Sequence, residues 1–322
     1  MKKNKNIKIA KNVIDLEILA LKKLKKSITN SFSQAVNSIV KCQSKIILCG
    51  VGKSFLIASK ISSTLSSVGS PSFALPANEC SHGDLGSISK KDLLILISNS
   101  GETKELKPVI EFANRNKITL IGIVSKKNSV LYNASDIKLY IPEVKESGHG
   151  IVPTSSTTIQ LSIGDALAIA LMKKKKFGKL DFKKYHPAGN LGNKLKTAGD
   201  LMLTKNKIPF VNENEIMKKS LKTLNAKKLG FVVVNNNQGL NSGIFTDGDL
   251  KRLLQKKRKI DNIKIKLFMT KRPYTVDQNT LATDVLNQMN KKKITNVCVY
   301  QQNNKRKIIG VLHIHTLLKA LK

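Results

Sequence analysis

After Asp92 the chain reads Leu93-Leu94-Ile95-Leu96-Ile97, an unbroken apolar run, and then Ser98-Asn99-Ser100-Gly101-Glu102-Thr103. An apolar run of strand length with no alternation is the mark of a strand covered on both faces, and such strands occur in parallel sheets. The hydroxyls and glycine come at the carboxyl end of that strand, just before a helical stretch. There they offer hydroxyl donors, backbone N–H groups and the positive end of a dipole to one anion. A phosphorylated small molecule is the expected guest. A simple capping box, with Ser100 as cap and Thr103 on a nearby N–H, explains one hydroxyl but not three around a glycine.

The surrounding pattern repeats this alternation. Ile46-Ile47-Leu48-Cys49 predicts a strand ending in Gly50-Val51-Gly52, followed by a helix from Lys53 to Val68 and a strand at Phe73-Ala74-Leu75. A helix through Glu111 follows the Leu93–Ile97 strand, with further strands at Ile118–Val124 and Ile137–Ile141. A long helix from Ser155 to Met172 closes the unit. Ahead of it all, Ile14, Ile18, Leu21 and Leu24 stand at helical spacing, so residues 11–42 read as one or two amphipathic helices. Residues 1–195 are therefore expected to form an α/β, doubly wound domain with a five-stranded, mostly parallel sheet. Its ligand belongs at the carboxyl ends of the strands.

The remainder carries an internal repeat. Leu201-Met202-Leu203-Thr204 returns as Phe268-Met269-Thr270, and Gly243-Ile244-Phe245 as Gly310-Val311-Leu312, with Met202 and Gly243 each recurring 67 positions later. Each copy reads helix, strand, turn, strand, helix. Two ββα-like halves, 196–260 and 261–322, are too small to bury full cores alone and should pack as a pair.

The formal charge of +36 suggests nucleic acid, but the lysines are scattered, only five basic residues are arginines, and aromatics to stack bases are few. Nucleic acid is therefore not expected as a partner. Two basic runs, Lys173–Lys176 and Lys256–Lys259, read as helix ends or linkers. No apolar stretch reaches the ~18 residues of a membrane span. The basic N-terminus leads into positions broken by Lys11, Asp15 and Glu17, which is not a signal peptide. Cys42, Cys49, Cys80 and Cys298 show no paired spacing. A cytoplasmic, reducing location without disulfides is expected.

Among shorter motifs, Gly50-Val51-Gly52-Lys53-Ser54 fails as an ATP loop, which would need glycine where Ile47 stands. It fails as a dinucleotide fingerprint too, which would need glycine at Phe55. It remains a tight strand-to-helix turn with Lys53 and Ser54 facing the crevice. A further hydroxyl cluster, Thr154-Ser155-Ser156-Thr157-Thr158, opens the closing helix and suggests the polar rim of a ligand. Glu146 precedes the flexible-looking Ser147-Gly148-His149-Gly150, and Glu105 lies one turn beyond the phosphate loop. His186 and His82 sit in Tyr185-His186-Pro187 and Cys80-Ser81-His82-Gly83-Asp84. Cys80 and His82 lack a second ligand pair, so no metal is expected.

Taken in order, these motifs resemble the arabinose-5-phosphate isomerase family, in which an SIS (sugar isomerase) domain precedes two CBS repeats. Further support comes from His82-Gly83-Asp84-Leu85-Gly86, Gly164-Asp165-Ala166-Leu167-Ala168 and Gly243-Ile244-Phe245-Thr246-Asp247-Gly248-Asp249-Leu250. The resemblance implies interconversion of D-ribulose 5-phosphate and D-arabinose 5-phosphate, feeding 3-deoxy-manno-octulosonate for lipopolysaccharide or capsule. It implies no cofactor, a cytoplasmic enzyme and a homotetramer with shared sites. It carries catalytic roles to Lys53, Glu105, Glu146 and His186. Substrate contacts fall on Ser54, Gly69, Ser70, His82, Ser98, Asn99, Ser100, Thr103, Ser155, Ser156 and Thr157. A carboxylate of raised pKa, Glu146 before Glu105, is the expected base for an enediolate route. Thr246 and Asp249 keep the effector-binding residues of such repeats, whereas His313 and Thr316 replace them in the second copy, and Leu267 stands where the first has Asp200. A nucleotide is thus expected at one half-site at most. Two alternatives stand beside this reading: an isomerase for another phosphosugar, and a non-catalytic sugar-phosphate sensor. A substrate panel and a salt-sensitive DNA-binding assay separate them.

Overall fold

The computed structural model describes residues 2–186, 192, 195–256, 259–302 and 304–321. Pro187, Ala188 and Gly189 of the His186 motif, and Lys257 and Arg258 of the second basic run, lie outside them. The chain divides into two compact units, Met1–Tyr185 and His186–Lys322.

In the first unit, β1 (Ile46–Gly50), β2 (Ser72–Pro76), β3 (Leu93–Ser98), β4 (Thr119–Val124) and β5 (Ile137–Tyr140) form one sheet in the order β2-β1-β3-β4-β5. All its pairings are parallel. Every residue of β1 and β3 is buried, which is why their sequences are continuously apolar. Edge strand β5 alternates instead, with Ile137 and Leu139 inward and Lys138 and Tyr140 half-exposed.

The pleat divides the strand side chains between two cores. Leu93, Ile95 and Ile97 join a core that includes residues of α1 (Lys2–Ser27), α2 (Asn30–Lys41), α3 (Lys53–Ser67) and α7 (Ser155–Lys174). Leu94 and Leu96 join the other, with α4 (Ala77–Cys80), α5 (Lys107–Asn116) and α6 (Val130–Ala134). A further short helix, α8 (Lys179–Tyr185), ends the unit. Asp92 is buried where β3 begins. Lys45 Nζ lies 3.0 Å from its carboxylate and the Ser89 N–H donates at 2.7 Å. Burial opposes its charge, but hydrogen bonds from Ser44, Ser89 and Lys45 outweigh burial and bring its pKa down to about 2.

One difference from the sequence expectation lies beside the Ser98–Thr103 loop. The helix there does not start directly after Thr103; a 3₁₀ turn, Lys104–Leu106, comes first and runs into α5. Pro108 sits in the first turn of α5, where its missing N–H costs no helical bond.

In the second unit each copy has one strand more than expected. The first comprises β6 (Phe210–Asn212), α10 (Met217–Lys227), β7 (Phe231–Asn235), β8 (Asn241–Thr246) and α11 (Asp247–Lys256), preceded by α9 (Ala198–Leu201). Strand β9 (Thr270–Lys271) leads into the second copy: β10 (Thr275–Asp277), α12 (Ala282–Lys292), β11 (Asn296–Tyr300), β12 (Ile308–His313) and α13 (Ile314–Ala320). The leading strands pair in parallel with the central ones, making each copy βαββα. Its two repeated motifs have one physical cause. A Cβ on Gly310 would lie 2.2 Å from the Met202 sulfur, and one on Gly243 2.9 Å from that of Met269. Each methionine therefore crosses to the glycine of the other copy. Phe231 and Val233 of one copy pack with Cys298 and Val311 of the other, so the halves share a core.

Candidate active site

Strand order reverses between β1 and β3, and ligands of open parallel sheets settle outside the carboxyl ends at such a point. Two turns flank it. After β1, Gly50 is required because a Cβ there would lie 2.8 Å from the Ser54 backbone, so α3 starts directly against the strand. This sets Lys53 in the first turn of α3, exposed at the crevice. After β3, Ser98 Oγ accepts the Gly101 N–H at 2.9 Å and shares a 2.8 Å bond with the Thr103 hydroxyl. Gly101 has φ +68°, and a Cβ on it would lie 2.1 Å from Ser129 Oγ. Ser100 Oγ accepts the Glu102 N–H at 3.2 Å, and Glu102 Oε1 accepts the Val130 N–H at 3.0 Å. The loop is built and braced by its own side chains.

The third turn comes before α7. The Glu146 carboxylate accepts the Thr154 N–H at 2.8 Å, the Thr154 hydroxyl at 3.2 Å and the Ser156 N–H at 3.2 Å. It thus caps α7 from outside the helix. Burial would raise its pKa, yet the hydrogen bonds from Ser156 and Thr154 prevail and hold it below the ordinary carboxylate value. This corrects the expected raised pKa: at neutral pH the carboxylate is ionised and tied to a helix terminus. The segment after it is also less open than its composition suggests. Ser147 and Val152 pair across a turn that carries Gly148, His149 and Gly150 at positive φ.

These turns enclose a cleft of about 390 Å³ lined by Lys53, Ser54, Asn99, Glu146, Ser156 and Thr157, all expected from sequence. Val51, Ile151, Pro153 and Gln160 complete it. Gln160 went unread. Its side chain is buried, and its Oε1 accepts from Ser54 Oγ at 3.5 Å. The available signal was a glutamine among the buried apolar positions that follow the opening serines of α7, Ile159, Ile163, Leu167 and Leu171.

The other expected residues take different places. Ser98 and Thr103 brace the loop after β3, with Ser100 half-buried beside them. Ser155 is fully buried, and its hydroxyl has no hydrogen-bond partner among the described residues. Glu105 is exposed on the 3₁₀ turn, and His82 is exposed after α4, the helix that packs on that turn. Cys80 faces inward, away from a role beside His82: its thiol meets that of Cys49 and the Pro76 carbonyl. Gly69 and Ser70 are not brought to the cleft of this chain. They precede β2, at the amino ends of the strands and so opposite the carboxyl ends that carry the cleft, and Lys175 Nζ donates to Ser70 Oγ at 2.8 Å and to the Gly69 carbonyl at 3.2 Å. His186 is half-exposed as the first residue of the second unit. In that unit Asp249 accepts from the Thr246 N–H and hydroxyl, each at 2.9 Å, and pairs with Arg252 at 2.5 Å. Asp200 forms a capping box with Thr197.

An SIS domain model matches residues 39–170 and a CBS domain model residues 263–322. The arabinose 5-phosphate isomerase KdsD of Yersinia pestis is 39% identical over 96% of this chain and 94% of its own. Its Escherichia coli K12 counterpart is 37% identical over the same shares. A solved E. coli CFT073 protein in complex with arabinose 5-phosphate is 37% identical, with a TM-score of 0.56, covering 58% of this chain and 100% of its own. With its sheet order, its braced loop and this near full-length identity, the chain belongs to the KdsD arabinose 5-phosphate isomerase family, an SIS domain followed by a CBS region.

Proposed function

We propose that this protein interconverts D-ribulose 5-phosphate and D-arabinose 5-phosphate, supplying the aldose for 3-deoxy-manno-octulosonate. The observation that carries this is the meeting of Glu146, Lys53, Asn99 and the α7 hydroxyls around one cleft at the switch point of the sheet. Relatives matched over 94% of their own length bear that activity in their names.

Aldose–ketose exchange moves one proton between adjacent carbons and leaves the overall oxidation state unchanged, so no redox cofactor is required. A base takes the proton from the carbon beside the carbonyl, an enediolate forms, and the proton returns to the neighbouring carbon. In this reading Glu146 is the base and Lys53 stabilises the enediolate oxygen. Phosphate rests on Ser54, Asn99, Ser100 and the loop braced by Ser98 and Thr103. Ser156 and Thr157 hold sugar hydroxyls, His82 lies near the sugar, and His186 assists ring opening. The protein acts in the cytoplasm as a tetramer. The Asp249 half-site is the one place offered to a nucleotide.

The cap on Glu146 favours one second reading. A carboxylate tied to two backbone N–H groups is a weak base. Glu105, exposed on its turn, would then take the proton while Glu146 positions α7. Steady-state assay of Glu146→Gln and Glu105→Gln with ribulose 5-phosphate, beside a panel of ketose and aldose phosphates, separates these readings. The base variant loses turnover while keeping substrate affinity. Conversion of a different phosphosugar, with ribulose 5-phosphate untouched, would overturn the assignment.

A further inference from the structure

The stripe of α7 that lines the cleft changes character within two turns. Ser156 and Thr157 stand four and three residues before Gln160, so the three share one side of the helix, and all of them line the cleft. Beyond them Ile163, Gly164, Leu167 and Leu171 are buried. Gln160 carries the only side-chain amide of α7, and 1% of its surface is exposed.

Close packing of α7 on α3 fixes its place. A Cβ on Gly164 would lie 2.3 Å from the Ile61 side chain, and Lys60 pairs with Asp165. One turn before Gly164, Gln160 meets Ser54 in the first turn of α3. Ser54 lines the cleft as well.

A buried amide is costly unless both its ends find partners. Here Oε1 accepts the Ser54 hydroxyl at 3.5 Å, long for such a bond, and among the described residues no atom accepts from Nε2. The amide therefore sits between a cleft hydroxyl and apolar packing with its donor protons unused.

A hydroxyl has one proton, and that of Ser54 goes to Gln160. A phosphate dianion offers acceptors only, so Ser54 serves it by turning that proton toward the phosphate. Oε1 would then be buried without a donor. A half-turn of the amide about its terminal torsion, which is soft and roughly two-fold, repairs this without changing the shape of the side chain. Nε2 then donates to Ser54 Oγ while Ser54 donates to phosphate, and donors aligned in one direction strengthen each other. Glutamate at this place could only accept, and would hold the Ser54 proton back.

We propose that Gln160 is the positioning residue of the phosphate contact: its amide donates to Ser54 Oγ and aims the Ser54 hydroxyl at the substrate phosphate. This rests on the reading that places phosphate on Ser54. The test is calorimetric titration of the full chain with arabinose 5-phosphate, beside a phosphorus NMR titration with inorganic phosphate. Gln160→Met should weaken both by the same factor, roughly 3- to 10-fold, the scale of one hydrogen bond. Gln160→Glu should weaken both further. In a Ser54→Ala background, Gln160→Met should change neither affinity by more than about twofold, because a residue acting through Ser54 has nothing left to act on. A merely structural role would give additive losses instead. Thermal unfolding identifies the folded variants, and Gln160→Glu decides if Gln160→Met does not fold. The proposal is overturned by parent-like affinity in either variant, by additive losses in the double variant, by a loss confined to arabinose 5-phosphate, or by a parent that binds no phosphate. A parent that shows the expected pattern yet leaves ribulose 5-phosphate unconverted would overturn the isomerase reading and leave the Gln160–Ser54 relay standing.

Discussion

Two hydroxyl-rich turns of the first unit, Ser98–Thr103 and Thr154–Thr158, read alike in sequence and are held in different ways. The first is closed by its own hydroxyls and a left-handed glycine. The second is closed by a carboxylate eight residues upstream, Glu146, seated on the amino end of α7. A self-braced loop is suited to holding an anion without rearrangement. A turn held by a charge is coupled to that charge, so a proton on Glu146 loosens the start of α7.

The comparison can be broken most severely at Glu146. Glu146→Gln should lower kcat by about 10²–10⁴, the usual range for loss of a general base, with KM changed little. Loss of the charged cap should cost the fold only ~1 kcal/mol in thermal or denaturant unfolding. A variant with unchanged kcat would leave Glu146 as cap alone and pass the base role to Glu105.

The next effect belongs to the braced loop. Gly101→Ala meets both a positive φ and the Ser129 side chain, and should cost roughly 2 kcal/mol or more while raising KM for any sugar phosphate. Unfolding curves and KM measured together check this; a variant as stable as the parent would show that the loop is not built as described.

Serine truncations sharpen the contrast further. Ser98→Ala removes an acceptor used by a backbone N–H and should destabilise by ~1–2 kcal/mol. Ser155→Ala removes a buried hydroxyl that has no partner among the described residues and should leave stability unchanged or slightly higher. The opposite ranking in chemical denaturation would contradict the two modes of bracing.

The remaining effect is on pH dependence, and is absent at neutral pH. Because the folded pKa of Glu146 lies below its ordinary 4.5, the cap contributes fully above that value and is lost as pH falls through the lower folded one. Asp92 behaves in the same direction. With a fall from 3.8 to about 2, it contributes ~2 kcal/mol at neutral pH, lost as acid is added between those values. Stability of Asp92→Asn should therefore converge with that of the parent near pH 2.

Much of the first unit was legible because burial on both faces writes itself as unbroken apolar runs, as in Leu93–Ile97. The five-stranded parallel sheet, with its crevice at the carboxyl ends, followed from that. What was not legible depends on contacts distant in sequence or on elements too short for a period. Glu146 meets Thr154 and Ser156 across a turn, so no local pattern shows that it is a cap rather than a free carboxylate. Ser98 and Ser100 look equivalent as letters, yet only Ser98 supports the Gly101 N–H. Gly69 and Ser70 fall at the amino ends of the strands because strand direction, not hydroxyl content, decides which end faces the crevice. In the second unit the 67-residue recurrence exposed the repeat. The three-residue strands β6 and β10 left no pattern, and the exchange of Met202 and Met269 between copies requires the packed pair.

The most direct test is NMR of ribulose 5-phosphate incubated with the purified protein in D₂O. Arabinose 5-phosphate carrying deuterium at C2 is expected from the parent chain, with neither product nor exchange from Glu146→Gln. Ribulose 5-phosphate left unchanged by the folded parent protein would contradict the account.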